Sequence, residues 1–242
     1  MKAIVLAAGK GTRLGDDSNL PKVMRNVGNR PMLSYVLDNL GFLPEEDISI
    51  VVGYKKEDVT ENIKGNYKYP VQQDISGTGQ AVISAKESLG TEEGDVLVCY
   101  GDMPLVSRAT YEGIIAEHRK SGADCTVLTA IAPKSDLHYG RIYREDREFK
   151  SIIEYRDCTE AQKEIHELNA GVYVFRIKTL FEALKDLTRD NDQQEYHLTD
   201  APRLMLSKNH KVKTFTIYNP NEIYGINTHD ELELVDGIIN RM

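Results

Sequence analysis

Short apolar runs that alternate with amphipathic segments most strongly limit what this 242-residue chain can fold into. The runs at residues 2–8, 48–53 and 95–100 are apolar almost throughout, rather than at every second position, which is typical of strands buried on both faces. Helical spacing of apolar residues is found at residues 31–40, 78–89 and 107–120, and a further strand is predicted at 125–132. This alternation predicts an α/β fold, with a parallel sheet covered by helices on both faces.

The pattern changes after about residue 135. Three short strands, separated by turns or loops, are typical of antiparallel additions, at residues 141–143, 149–155 and 171–175. The remaining predicted elements are helices at 179–187 and 199–206, a strand at 212–217 and a final helix at 230–239. We therefore predict a single domain over residues 1–242, with a first part at about 1–135, an inserted small lobe and sheet completion at about 136–228, and a C-terminal helix at 229–242.

Composition and charge disfavour several classes of protein. No apolar stretch approaches the roughly 20 residues that span a bilayer, and Lys10 follows the apolar start too soon for a signal peptide, so a cytoplasmic protein is expected. The three cysteines show no Cys-x-x-Cys spacing, which disfavours a zinc site or a disulfide framework. A net charge of −8 disfavours a nucleic-acid binder. Residues 1–30 differ, since six Lys and Arg face only Asp16 and Asp17; this local charge of +4 predicts a site for a small anion.

A glycine-rich turn, LAAGKGTRL at residues 6–14, directly follows the first predicted strand. Its glycines would let backbone N–H groups approach a phosphate, and the Arg13 guanidinium can fork onto phosphate oxygens. The spacing is neither that of a Walker loop nor that of Gly-x-Gly-x-x-Gly, which would need glycine in place of Leu14. Pro21 then restricts the backbone before Lys22, whose ammonium could offset phosphate charge. A phosphate site is predicted here, with a purely structural turn as the alternative.

Other candidate residues lie at predicted strand ends and helix starts. The Gln72 amide, together with Gly77 and Thr78 at a helix start, could read the edge of a pyrimidine base, or could simply form a tight strand-to-helix turn. Asp102 follows the strand at 95–100, at the edge where ligands of parallel sheets bind, and is the best candidate ligand for Mg²⁺; the alternative is a cap on the following turn. Asn227 is either a second oxygen ligand or a capping neighbour of the last helix.

The inserted lobe carries candidates for binding a sugar. Glu154 and Asn169 could hydrogen-bond sugar hydroxyls or an N-acetyl group, and Gly140 leaves space for a close backbone approach. A lone glutamate is, however, usually a solvated surface group. The six histidines show no metal-ligand spacing, so no chemistry is assigned to them.

In their order and spacing, these motifs closely resemble the pyrophosphorylase domain of the bacterial bifunctional N-acetylglucosamine-1-phosphate uridylyltransferase/glucosamine-1-phosphate acetyltransferase family. The likeness includes EYHLTD at 195–200 and GIN at 225–227 and extends over nearly the whole chain. It implies the nucleotide-diphospho-sugar transferase fold, a Rossmann-like mixed, mostly parallel sheet with a small sugar-binding lobe. It also implies a Mg²⁺-dependent transfer of a uridylyl group from UTP to N-acetylglucosamine-1-phosphate.

The resemblance assigns roles to individual residues. Arg13, Lys22 and Asp102 would be catalytic, Asp102 and Asn227 would hold the Mg²⁺, and the sugar would face Gly140, Glu154 and Asn169. The residues implied to face the nucleotide are Leu6, Ala7, Ala8, Gly9, Gly11, Gln72, Gly77, Thr78, Tyr100 and Gly101. The partners expected are small-molecule substrates, with no nucleic acid and no membrane, for a monomer or weak homo-oligomer.

Departures from that family keep alternatives open. The β-helix that forms its second half is missing, so acetyl transfer is not expected, and Tyr155 and Cys158 differ from the usual residues near the sugar. One alternative is a nucleotidylyltransferase that uses glucose-1-phosphate, another sugar or alcohol phosphate, or a cytidylyl donor. An alternative from another class is a non-catalytic sensor of nucleotide sugars.

Overall fold

A mixed sheet of eight strands organises the computed structural model, which describes residues 1–15, 20–132 and 137–241. Asp16, Asp17 and the predicted division at 135/136 therefore lie outside the described residues. Strands β2 and β3 form a separate two-stranded sheet. The strands of the two sheets are β1 (Lys2–Leu6), β2 (Asn26–Val27), β3 (Arg30–Pro31), β4 (Ile48–Val51), β5 (Asp95–Tyr100), β6 (Cys125–Ile131), β7 (Arg141–Glu145), β8 (Glu148–Ile153), β9 (Glu167–Arg176) and β10 (Val212–Ile217).

The main path of the sheet has the order β10-β6-β9-β5-β1-β4. Strand β1 is parallel to β4 and β5, and β10 is parallel to β6, whereas β9 is antiparallel to both of its neighbours. The β7–β8 hairpin joins the sheet through β9. The predicted antiparallel strand at 171–175 is thus confirmed, but it belongs to a longer strand in the centre of the sheet.

Helices cover both faces of the sheet, as predicted. They are α1 (Met32–Asn39), α2 (Lys56–Asn62), α3 (Thr78–Ser84), α4 (Arg108–Ser121), α5 (Glu160–Lys163), α6 (Ile177–Leu184), α7 (Ala201–Ser207) and α8 (His229–Ile239). Alternate residues of β1 show the two faces, since Ala3 and Val5 belong to the core that includes residues of α1 and α4, whereas Ile4 and Leu6 belong to the core that includes residues of α3 and α6. No helix among the described residues is long and apolar enough to span a membrane.

The sequence pattern missed elements that bury little apolar surface. Helix α2 has one buried residue, Val59, so it lacks the apolar stripe on which a helix prediction rests. The β2–β3 ribbon has two residues in each strand. The helix predicted at 78–89 is divided, because α3 ends at Ser84 and a separate 3₁₀ turn covers Glu87–Leu89.

The buried His118 on α4 predicts a pH dependence of stability. Its Nδ1 lies 2.9 Å from the Thr126 hydroxyl, and burial lowers the pKa of the imidazole from its ordinary 6.5, although Asp95 opposes this. The unfolded chain therefore takes up this proton more readily, so we expect stability to fall as the pH drops below 6.5. Urea unfolding at pH 7.5 and 5.5 should show a larger loss for the wild type than for His118→Gln. Equal losses would contradict this role, and the exposed His166→Gln is the control.

Candidate functional site

Two adjoining cavities open at the carboxyl ends of β1 and β5. We name the first, of about 230 Å³, the loop cavity, because the glycine-rich turn forms one wall. The predicted residues that line it are Leu6, Ala7, Ala8, Gly9, Lys22, Gln72, Gly77, Thr78, Tyr100 and Asp102. We name the second, of about 400 Å³, the lobe cavity; it is lined by Arg13, Gly140, Glu154, Asn169 and Asn227, and shares Thr78, Tyr100, Asp102 and Glu195 with the first. The structure thus brings residues from distant parts of the sequence to one edge of the sheet.

A cationic centre lies where the two cavities meet. The Lys22 ammonium contacts Oδ2 of Asp102 and donates to Oδ1 of Asn227 at 2.7 Å. The Arg13 guanidinium donates to the same amide oxygen at 3.2 Å. The backbone N–H of Ile226 donates to the Asp102 carbonyl at 3.1 Å, which holds the two chain segments together. The two oxygens predicted to bind a metal therefore converge on one positive charge.

Packing explains how Lys22 reaches this centre. Pro21 precedes the 3₁₀ turn Lys22–Met24, as the sequence suggested. Gly11 has a positive φ of 72°, and a Cβ there would lie 2.7 Å from Cβ of Lys22, so only glycine lets the two segments pass so closely. Of the residues predicted to face the nucleotide, Gly11 and Gly101 are not among those that line either cavity. Gly101 instead donates its N–H to the Leu6 carbonyl at 2.9 Å.

Arg25 holds the glycine-rich turn, a role that the sequence analysis missed. Its side chain is buried and donates to the carbonyls of Leu14, at 2.7 Å, and Gly15. Arg141 does the same for the lobe, donating to the carbonyls of Leu137, Tyr139 and Lys163 at 2.8–3.1 Å. Both arginines bind backbone carbonyls, so their sequence neighbours give no sign of the role.

Gln72 shapes the turn before α3 as well as lining the loop cavity. Its side-chain N–H groups donate to the carbonyls of Asp74, at 3.0 Å, and Gly77, at 3.1 Å. The turn is bonded in addition to a distant segment, since Tyr196 N–H donates to the Ser76 carbonyl at 2.8 Å. Gln72 thus fixes the turn, because its side-chain N–H groups bond to carbonyls within it.

Gly77 lies where the turn before α3 closely approaches the backbone of Tyr196, which is distant in sequence, and its substitution tests that contact. Its φ is 118°, and a Cβ would lie 2.5 Å from the backbone oxygen of Tyr196. We expect Gly77→Ala to lower the free energy of unfolding by about 3 kcal/mol, because strain and a backbone clash add. The matched control is Gly90→Ala, which has a φ of 65° but nothing within 4 Å of its Cβ, and should cost about 1 kcal/mol. Equal losses in urea unfolding would show that the contact with Tyr196 is unimportant.

The lobe side of the site is prearranged by hydrogen bonds. The Thr199 hydroxyl donates to Oε1 of Glu154 at 2.6 Å, and the Asn169 side chain donates to the Tyr173 hydroxyl at 2.8 Å. Burial raises the pKa of the Tyr173 phenol, which therefore stays neutral. A Cβ at Gly140 would lie 2.7 Å from Cγ2 of Ile152, so packing within the protein already requires glycine here.

The two residues that depart from the family pattern lie behind the cavity wall. Tyr155 stacks on His138, with ring centroids 4.3 Å apart, and His138 lines the lobe cavity. The Arg141 guanidinium lies 5.0 Å from the centroid of the same tyrosine. Cys158 is buried, with its thiol 3.7 Å from the Ile153 carbonyl. Tyr155 thus supports His138 and is not itself among the residues that line the cavity.

Comparisons with known proteins identify the family to which this chain is similar. Residues 3–202 match the family described as the MobA-like NTP transferase domain. The bifunctional protein GlmU of Clostridium novyi is 39% identical over 239 residues, covering 98% of this chain and 52% of that protein. GlmU of Bacillus licheniformis is 37% identical over 226 residues, covering 93% and 49% respectively. The chain therefore spans about half the length of these relatives.

Solved structures share the fold. A putative glucose-1-phosphate thymidylyltransferase from Bacillus anthracis superimposes with a TM-score of 0.79 at 20% identity, covering 100% of this chain and 96% of that one. A UDP-glucose pyrophosphorylase complexed with UDP-glucose gives 0.79 at 17% identity, covering 99% and 98%. The predicted fold class is confirmed by these likenesses.

Proposed function

The chain belongs to the MobA-like NTP transferase family, and we propose that it joins UTP to N-acetylglucosamine-1-phosphate, forming UDP-N-acetylglucosamine and releasing pyrophosphate. The membership and the GlmU relatives confirm the resemblance predicted from the motifs. One observation carries the proposal: Lys22, Asp102 and Asn227 meet where a loop cavity rich in glycine adjoins a polar lobe cavity. We infer that a nucleoside triphosphate and a sugar phosphate react at this junction.

The proposed reaction is an in-line displacement at the α-phosphorus. A phosphate oxygen of the sugar-1-phosphate forms the new P–O bond, the bond to the bridging oxygen breaks, and pyrophosphate departs with that electron pair. The attacking oxygen is already anionic, so no general base is required. Alignment and charge neutralisation then supply the catalysis, through Lys22, Arg13 and the backbone N–H groups of the glycine-rich turn.

The donor set at the centre fits a divalent metal. A carboxylate oxygen of Asp102 and an amide oxygen of Asn227 already converge on the Lys22 ammonium, and such hard oxygens are ligands that Mg²⁺ accepts alongside phosphate oxygens. Nucleotidyltransferases of this type typically depend on a divalent metal. A bound Mg²⁺ would supply positive charge to the triphosphate. Asp102 and Asn227 would hold it, while Lys22 and Arg13 would bind phosphate oxygens.

Recognition of the two substrates falls to opposite ends of the site. Gln72 and the turn that it fixes would read the pyrimidine edge, with Gly77 and Thr78 beside it. Glu154 and Asn169 would bind the amino sugar from the wall of the lobe cavity. The expected partners are accordingly these small molecules.

A substrate panel tests the proposal. Pyrophosphate release would be measured with UTP, CTP and dTTP, each combined with N-acetylglucosamine-1-phosphate, glucosamine-1-phosphate and glucose-1-phosphate in MgCl₂. We expect UTP with N-acetylglucosamine-1-phosphate to give the highest kcat/KM, and discrimination against CTP of up to roughly 10⁴-fold if a buried polar group reads the base. A preference for glucose-1-phosphate would favour another sugar-phosphate nucleotidylyltransferase, and tight UDP-sugar binding without turnover would favour a sensor.

A further inference from the structure

His197 is a buried polar side chain whose ring lacks a hydrogen bond among residues 1–15, 20–132 and 137–241. The residue is 7% exposed, and Nε2 of its ring lies 3.9 Å from Oε2 of Glu195, too far for a hydrogen bond. Both residues line the lobe cavity, so the separation between these two atoms faces the proposed sugar site. The ring therefore has no hydrogen-bond partner among the described residues and lies at the wall of a cavity, where a bound ligand can supply one.

The backbone holds His197 in place from both sides. Tyr196 is bonded to Ser76, and Leu198 N–H donates to the Thr78 hydroxyl at 3.0 Å. The His197 carbonyl accepts from Asp200 N–H at 3.2 Å. The segment is therefore anchored to the turn that precedes α3, so the backbone that carries the His197 ring is held in place.

The chemistry of the pair selects the group that fits between them. The Glu195 carboxylate only accepts hydrogen bonds, whereas a neutral imidazole can donate one from Nε2. An oxygen about 2.8 Å from each atom would span the 3.9 Å separation. That oxygen must donate to Glu195 and accept from His197, and a hydroxyl does both.

We propose that His197 and Glu195 together bind one hydroxyl group of the sugar moiety, and so determine which sugar phosphates the protein accepts. This rests on the proposed function, because it assigns the substrate of the same site. Nearby, Oε1 of Glu154 already accepts from Thr199, which leaves His197 and Glu195 as a separate pair of contacts. Sugars that lack this hydroxyl should bind poorly.

A comparison of deoxy sugars with variants tests the pair. The kcat/KM of the wild type would be measured with N-acetylglucosamine-1-phosphate and its 3-, 4- and 6-deoxy analogues. One analogue should lose on the order of 10- to 100-fold, the scale of a lost hydrogen bond to a charged group. His197→Phe, which keeps a ring but removes the N–H, should lose a similar factor with the parent sugar and little more with that analogue.

Two further variants separate binding from folding. Glu195→Gln keeps the size of the side chain but weakens the acceptor, so it should also lose rate with the parent sugar and little more with the analogue that lacks the hydroxyl. His197→Gln restores an N–H donor, so it should recover part of the loss caused by His197→Phe. The exposed His166→Phe, which lines neither cavity, should leave kcat/KM unchanged. Circular dichroism and urea unfolding would establish that each variant is folded.

Specific results would overturn the pairing. A His197→Phe variant that loses the same factor with every sugar, or loses nothing, would contradict it, as would a loss that appears with 2′-deoxy-UTP instead of a deoxy sugar. If the wild type releases no pyrophosphate with any sugar phosphate, the proposed function fails. Calorimetric binding of UDP-N-acetylglucosamine and its deoxy analogues would then still decide the role of His197 and Glu195.

Discussion

Asp102→Ala is expected to abolish magnesium-dependent turnover, with a loss in kcat on the order of 10³-fold or more. The carboxylate lies at the junction of the two cavities, contacts the Lys22 ammonium and is 17% exposed in its side chain. Removing it takes away the charged half of the proposed metal site. The measurement is pyrophosphate release as a function of MgCl₂ concentration, together with calorimetric titration of Mg²⁺ into the protein with UTP present.

Two companion variants make the Asp102 result interpretable. Asp102→Asn keeps the shape and removes the charge, so it should lose nearly as much turnover while remaining folded. Asp38→Ala removes an exposed carboxylate that pairs with Arg30 on the surface, and should leave kcat unchanged. A variant at Asp102 that keeps the wild-type response to MgCl₂ would remove this residue from the metal site.

Lys22→Ala is expected to lower kcat by about 10²- to 10³-fold, the scale for losing one electrostatic donor in an active site. Lys22 is the cation that reaches both Asp102 and Asn227, and only 11% of its side chain is exposed. Its loss would leave charge on the departing pyrophosphate less well compensated. Steady-state kinetics at saturating UTP, well below the unfolding temperature, would measure the effect.

The Lys22 experiment needs a control for the loss of positive charge in general. Lys64→Ala removes an exposed lysine whose ammonium contacts the Glu61 carbonyl, and should change kcat little. Lys22→Gln keeps much of the length of the side chain without its charge, and should resemble Lys22→Ala. An unchanged turnover number in either Lys22 variant would remove this residue from the mechanism.

Local pattern was sufficient to predict most of the sheet and the members of the cationic centre. The continuous apolar run at 95–100 predicted strand β5, which ends at Tyr100, two residues before Asp102. Since ligands of parallel sheets bind at the carboxyl ends of the strands, this run also predicted where Asp102 lies. Arg13 and Lys22 were predicted from the glycine-rich turn and Pro21, which are close together in the chain. In each case the residues on which the prediction rests lie close in sequence to the predicted site residue.

Contacts between distant segments could not be predicted in the same way. The reason for glycine at position 77 is the backbone of Tyr196, which lies more than 100 residues away. Arg25 and Arg141 act on backbone carbonyls, which every residue possesses, so no side-chain pattern identifies their partners. That the His197 ring lacks a hydrogen-bond partner can be recognised only when the burial and the hydrogen bonds of the residue are known together.

The central place of β9 determines when this protein can finish folding. Strands β5 and β6 both pair with β9 and not with each other, although both precede it in the chain. During synthesis, a nascent chain that ends before residue 167 would therefore carry two strands with open edges, and such edges promote aggregation. We therefore expect that residues 1–132 do not fold autonomously and that expressing them alone gives insoluble material.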